Sequence, residues 1–170
     1  MTSKDKKDLT DDNQVYTIAE NLAETLYDLG VSYIFGIPGG PSIPYMEAAR
    51  KIGIEFILVA NEASAGIMAD VVSRLTGIPG VCFGTFGPGA TNLSTGVGCA
   101  YLDRSSLIAL TSEQNDKMLE RVTQMNIDHQ ALFTPVTKMT FRLKEFNTRE
   151  AILKAAGVAK IGRASCRERV

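Results

Sequence analysis

Three stretches of this chain carry side chains that can do chemistry. The first is Asn61-Glu62, where the run Ile54–Val59, rich in β-branched and aromatic residues, gives way to the small residues Ala63 to Gly66. Asn61 has the chemistry of an N-cap, so Glu62 falls in a first helical turn at the carboxyl end of a strand, where open α/β sheets bind ligands. A carboxylate there can exchange a proton with a bound base, or it can merely meet the positive end of the helix dipole; position alone favours the second. The next stretch is Gly87-Pro88-Gly89-Ala90-Thr91-Asn92. A turn of this composition, leading into a helix of small residues, presents free N–H groups and lets a ligand or another chain approach closely. The last is His129-Gln130, in a long polar connection over residues 113–131 that also holds Met118 and Met125. His129 reads either as a substrate-facing acid or base, or as a surface or core histidine.

The elements that must position these groups alternate between helix and strand. Thr17-Ile18-Ala19-Glu20 is a capping box, opening a helix that runs to about Leu29 with Ile18, Leu22, Leu26 and Leu29 as its apolar stripe. Val31–Phe35 reads as a strand, broken by the rigid turn Gly36-Ile37-Pro38-Gly39-Gly40-Pro41, which lacks the G-x-G-x-x-G dinucleotide fingerprint. A helix over Pro44–Lys51 follows, then the Ile54–Val59 strand, which reads as buried, and a helix over Ala63–Leu75 with Ala65, Met68, Ala69, Val72 and Leu75 on one face. Strands are expected at Val81–Phe86 and Ser106–Thr111, and Phe133–Phe141 reads as a turn and a last strand. Asn147-Thr148-Arg149-Glu150 is a second capping box, with a helix to Ala156. This alternation predicts an α/β fold with a parallel sheet covered on both faces. The Asn61-Glu62 and Gly87–Asn92 stretches follow what read as neighbouring strands, and are expected to converge on one crevice.

A chain of 170 residues, 45% hydrophobic with net charge −1, fits one globular domain and shows no basic excess for nucleic acid. No apolar run approaches the ~20 residues of a membrane span. Residues 1–14 are charged, are expected to be disordered and lack a signal-peptide core, so a cytoplasmic protein is the default. Cys82 and Cys99, without C-x-x-C spacing, read as small buried hydrophobes in a reducing compartment. No Asp/Glu/His cluster has metal-ligand spacing. Residues 161–170, Ile-Gly-Arg-Ala-Ser-Cys-Arg-Glu-Arg-Val, resemble translated sequencing-adapter DNA. They are set aside as a non-native tail, and the chain is expected to be a piece of something longer.

Several blocks in order carry a family resemblance: Phe35-Gly-Ile-Pro-Gly-Gly40, Asn61-Glu62 with Ala65-Gly66-x-Met68-Ala69, Arg74-x-Thr-Gly77, Gly87–Asn92, Ala100-Tyr-Leu-Asp103 and Phe133-Thr-Pro-Val-Thr-Lys138. Over residues 15–160 the chain resembles the N-terminal pyrimidine-binding (PYR) domain of thiamin-diphosphate enzymes of the acetolactate synthase type. The resemblance implies a flavodoxin-like, three-layer parallel sheet of about six strands. It implies that Glu62 hydrogen-bonds the ring nitrogen of the cofactor's aminopyrimidine and so promotes loss of the thiazolium proton, after which a 2-oxo acid is decarboxylated and its remnant passed to an acceptor. The carboxyl must then trade a proton with a weakly basic nitrogen, which an apolar pocket favours. Gly87, Pro88 and Asn92 match the family's cofactor-lining turn and, by analogy, meet the pyrimidine across the subunit interface of a homodimer or homotetramer.

Departures bear on which reaction is catalysed. Asn61 stands where relatives usually have histidine, Ala63-Ser64 replaces a Gln-containing pair, and His129-Gln130 stands where Phe-Gln is common. The Gly-Asp-Gly…Asn-Asn signature for magnesium and diphosphate does not occur, so the metal site is expected in another domain and this piece alone is expected to be inactive. A bound flavin (FAD), as in some relatives, stays open. So do three other readings: a separate PYR subunit of a two-chain decarboxylase such as sulfopyruvate decarboxylase, a non-catalytic regulatory relative, and a nucleotide-binding α/β module using Gly87–Asn92 as a phosphate cradle.

Overall fold

The computed structural model describes residues 16–113 and 125–161; the expected disorder of residues 1–14, Met118 and the tail from residue 162 lie outside the described residues. The Thr17 box forms as its spacing requires. Thr17 Oγ1 accepts the Glu20 N–H at 3.2 Å and Glu20 Oε2 accepts the Thr17 N–H at 3.0 Å, opening α1 (Ile18–Asp28). Strands β1 (Tyr33–Gly36), β2 (Glu55–Leu58), β3 (Gly80–Gly84) and β4 (Leu107–Thr111) pair in parallel in the order β2-β1-β3-β4. Helices α2 (Ile43–Lys51), α3 (Glu62–Thr76), α4 (Pro88–Leu102), α5 (His129–Phe133) and α6 (Thr148–Ile161) complete the described elements, with 3-10 turns at Gly40–Ser42 and Thr134–Val136.

Successive strand residues point to opposite faces, and this alternation builds two cores. Ile34, Val81, Phe83 and Ile108 pack with Leu22 and Leu26 of α1, Ala49 of α2 and Ile152 of α6. Phe35 and Cys82 pack with Ala65 and Ala69 of α3, Leu93 and Val97 of α4, and Phe133. The result is the expected α/β architecture, a parallel sheet between two helical layers.

Several expectations need correction. The described residues form four strands rather than about six, and residues 137–144 make no strand. Lys138, Thr140 and Arg142 do alternate with Met139, Phe141 and Leu143, but alternation becomes a strand only where a ladder partner lies alongside. Strands β2 and β3 are not neighbours, because β1 lies between them. The chain steps from β1 outward to β2, and α3 then carries it back across β1 to β3, which makes the β1/β3 boundary a topological switch point. β2 is an edge strand with Glu55 and Leu58 exposed, not a buried one. On α3 the buried face is Ala65, Gly66, Ala69, Asp70 and Ser73, while Met68 and Leu75 stand outside. The cause is α4: a Cβ added to Gly66 would lie 2.7 Å from Gly96 Cα, so the two helices meet glycine to glycine and draw the small residues inward. Cys82 is buried, and burial pushes its thiol pKa up to about 12, but Cys99 is exposed.

Candidate active site

Asn61 sets the entry to α3. Its extended backbone lets Oδ1 accept the Ala63 N–H at 2.8 Å, so the helix begins on Glu62, as its chemistry predicts. The Glu62 carboxylate is only 6% exposed although it opens a helix. Asn92, one turn into α4, donates from Nδ2 to Glu62 Oε2 at 3.1 Å. The two stretches thus converge, although their strands are separated by β1. The glycine contact between α3 and α4 brings their N-terminal turns side by side.

Glycines also shape the floor. Gly87 adopts φ +66°, a conformation that side-chain-bearing residues rarely take, and Pro88 then opens α4. A Cβ on Gly87 would come 2.8 Å from the backbone oxygen of Met125, so its close approach is to the 125–128 segment of the same chain. A Cβ on Gly89 would stand 2.8 Å from Thr85 Cγ2 and 3.2 Å from Glu62 Oε1. Thr85 also fills the space a Gly39 side chain would need, so the Gly36–Pro41 turn stacks on the same residue. Thr85 was not among the residues singled out in the sequence, and Gly89 entered only as part of the Gly87–Asn92 turn, since a glycine advertises nothing but its missing side chain.

The chemistry of the carboxylate follows from these contacts. Oε2 is engaged as an acceptor by Asn92, which leaves Oε1 to hold or surrender a proton. The space beside Oε1 exists because Gly89 has no Cβ. A flat ring with a nitrogen directed at Oε1 fits this arrangement, and an aminopyrimidine is such a ring.

His129 is built into a different place. It is buried on α5, with Nδ1 3.0 Å from Thr111 Oγ1 at the end of β4. Burial pushes its imidazole pKa down, opposed by the Glu113 and Asp128 carboxylates. Gln130 is exposed, and its carbonyl accepts the Thr134 hydroxyl at 2.6 Å. Both line a cavity of about 770 Å³ along β4, whereas Glu62, Gly87, Pro88 and Asn92 do not. The structure therefore brings Glu62, Asn92 and the Gly87 turn together and leaves His129 and Gln130 apart from them. Among the described residues no group of three or more His, Cys, Asp or Glu side chains could hold a metal ion, and no helix is long and apolar enough to cross a membrane.

The N-terminal TPP-binding domain of thiamine pyrophosphate enzymes matches residues 16–132, a span that includes Glu62, the Gly87 turn and Asn92. The chain belongs to this family. This TPP-binding domain is similar to a probable acetolactate synthase large subunit of Methanocaldococcus jannaschii, 41% identical over 127 residues, which are 75% of this chain and 22% of that protein. It is also similar to an acetolactate synthase of Bacillus subtilis, 36% identical over 147 residues, 86% of this chain and 26% of that protein. A probable 2-ketoarginine decarboxylase of Pseudomonas aeruginosa is 35% identical over 124 residues, 71% of this chain and 22% of that protein. The chain spans about a quarter of the length of the curated relatives it matches.

Proposed function

We propose that this TPP-binding domain, taken as residues 15–160, supplies the proton-handling carboxyl of a thiamin-diphosphate enzyme that decarboxylates a 2-oxo acid and passes the remaining fragment to an acceptor, as acetolactate synthases do. The observation that carries this reading is the Glu62 carboxylate: buried, held through Oε2 by Asn92, and open at Oε1 beside Gly89. Thiamin diphosphate, when bound, supplies the thiazolium that takes up the electrons released when a 2-oxo acid loses carbon dioxide. The chain's part is to place a carboxyl where it can share a proton with the aminopyrimidine nitrogen. Asn92 does this by fixing the rotamer, so that the proton moves at Oε1 and not at Oε2. Gly87 and Pro88 shape the turn from which α4 starts, and Gly89 keeps the approach clear. Magnesium and the diphosphate would be held by a domain beyond this one.

Assembly as a homodimer or homotetramer is supported by the outer face of α3 and α4, where Ile67, Met68, Leu75 and Leu102 are exposed. The free thiols Cys82 and Cys99 suit a cytoplasmic location. His129 and Gln130 line the wall of another cavity, and substrate contact by them would need a path from β4. The test is turnover by the full-length protein. With a 2-oxo acid such as pyruvate, carbon dioxide release should depend on added thiamin diphosphate and fall by about three orders of magnitude or more in Glu62→Ala. Turnover without the cofactor, or unaffected by Glu62→Ala, overturns the proposal.

A further inference from the structure

Two glycine turns wall the crevice beside Glu62, and one side chain meets them both. Gly39 lies in the turn that leaves β1, and Gly89 in the first turn of α4, which follows β3. β1 and β3 are neighbours, so the two turns leave the sheet on either side of its switch point. Thr85, directly after β3, stands between them. A Cβ built on Gly39 would run into Thr85 Oγ1, and a Cβ built on Gly89 would come 2.8 Å from Thr85 Cγ2. The hydroxyl arm abuts one turn and the methyl arm the other.

These contacts act through shape. The polar groups of Gly39 are already engaged: its N–H donates to Ser42 Oγ at 2.9 Å, and its carbonyl accepts from Ser42 Oγ at 2.6 Å and from the Ser42 N–H at 2.9 Å. Ser42 is buried just before α2, so the Gly39 turn is anchored to that helix and gives Thr85 a fixed footing. A β-branched side chain carries two arms on one carbon and is stiff at χ1, which makes it a spacer that serine and alanine cannot match. The far side of Gly89 meets Glu62, since the same added Cβ would stand 3.2 Å from Oε1. Gly39, Thr85, Gly89 and the Glu62 carboxylate thus form one packed row. Asn92 is three residues on from Gly89, on the same side of α4, so it moves with that turn. Its bond to Oε2 is 3.1 Å long, close to the upper limit for an N–H···O bond, and a retreat of about half an ångström would break it.

We propose that Thr85 is a positioning residue for Glu62: a two-armed spacer that holds the start of α4 off the anchored Gly39 turn and, through Asn92, keeps Oε2 engaged and Oε1 open. This role rests on Glu62 being the proton-handling carboxyl, and it requires no contact between Thr85 and substrate or cofactor. Without the methyl arm a void opens beneath Gly89, and the first turn of α4 settles into it, carrying Asn92 away from the carboxylate. The start of α4 has no side-chain cap to oppose that movement.

The experiment uses the full-length protein and follows hydrogen–deuterium exchange at the thiazolium carbon of bound thiamin diphosphate in Thr85→Val, Thr85→Ser and Thr85→Ala, with Glu62→Gln alongside. Val keeps both arms and should stay within about threefold of the parent. Ser keeps the hydroxyl but loses the methyl, and should fall with Ala by about 30-fold or more, the cost of a lost bond to a charged group. Because Thr85 works through Asn92, Thr85→Ala should cost less than about threefold in an Asn92→Ala background, whereas a merely structural role would cost the same in both. In protein without cofactor, the amides of residues 89–92 should exchange about tenfold faster in Ser and Ala than in the parent or Val. Should Thr85→Ala fail to fold, Ser carries the test. A Ser variant like the parent beside an impaired Val makes the hydroxyl a ligand contact and overturns the proposal, as do parent-like rates in all three. Loss of exchange in Glu62→Gln with none in Thr85→Ser sinks the spacer role alone; an unchanged rate in Glu62→Gln sinks the reading of Glu62 beneath it.

Discussion

The α3–α4 pair and the β4–α6 region are built from similar small and apolar residues, yet one is closed and the other open. Between α3 and α4, glycine meets glycine, and the neighbouring N-terminal turns set Glu62 and Asn92 in hydrogen-bond contact. Along β4 the helices stand off and a cavity of about 770 Å³ remains. A carboxyl that must pass a proton at one atom needs a rotamer fixed by packing, and the tight region supplies it. The closed region is where chemistry is expected.

The largest effect should come from wedging the closed region apart. Gly66→Val places a branched side chain against Gly96, and should cost about 3 kcal/mol or more by denaturant unfolding, often leaving no folded chain. Ala155→Val, on the cavity wall, should stay within about 1 kcal/mol of the parent in the same measurement. Similar costs at the two positions would erase the distinction between the regions. A smaller, more local change is Gly89→Ala, whose methyl would stand 3.2 Å from Glu62 Oε1 and 2.8 Å from Thr85 Cγ2. Stability should fall by about 1–2 kcal/mol. Thiamin diphosphate affinity of the full-length protein, read by titration, should drop about tenfold or more; a change in stability alone would leave Gly89 as packing only.

Much of this contrast was legible in the sequence, and its gaps have physical causes. Thr17, Glu20 and Asn61 announced their helix starts because capping is local: the bond partner lies two or three residues away. The meeting of Glu62 with Asn92 was legible as two small-residue turns at strand ends, whereas a role for them came only with the family resemblance. The neighbourhood of β2 and β3 was not, since strand order is decided by where helices cross, and β1 inserts itself between them. The buried face of α3 was misread because hydrophobicity favours Met68 and Leu75 inside, whereas close packing on α4 rewards Gly66 and Ser73. The strand over residues 133–141 was misread for a related reason: its alternation is present, but a partner alongside is not.

The smallest effect concerns His129, at the border of the open region. Its folded-state pKa is depressed by burial below the ordinary 6.5, so above that pH both folded and unfolded chains hold it neutral. As pH falls below 6.5, the unfolded chain takes up the proton first and folded stability is lost, the loss levelling off below the depressed folded value. His129→Gln should therefore flatten the decline in unfolding free energy between pH 7 and pH 5. An identical decline in the variant would show that the imidazole is not held neutral against Thr111.

The central claim is that the chain holds Glu62 so that Oε1 can exchange a proton with the aminopyrimidine. Hydrogen–deuterium exchange at the thiazolium carbon of thiamin diphosphate, followed by quenched-flow NMR in the full-length protein, tests it most directly. Glu62→Gln keeps the size of the side chain and should bind the cofactor within a few-fold of the parent, yet lose exchange by about three orders of magnitude. An exchange rate unchanged in that variant would contradict the account.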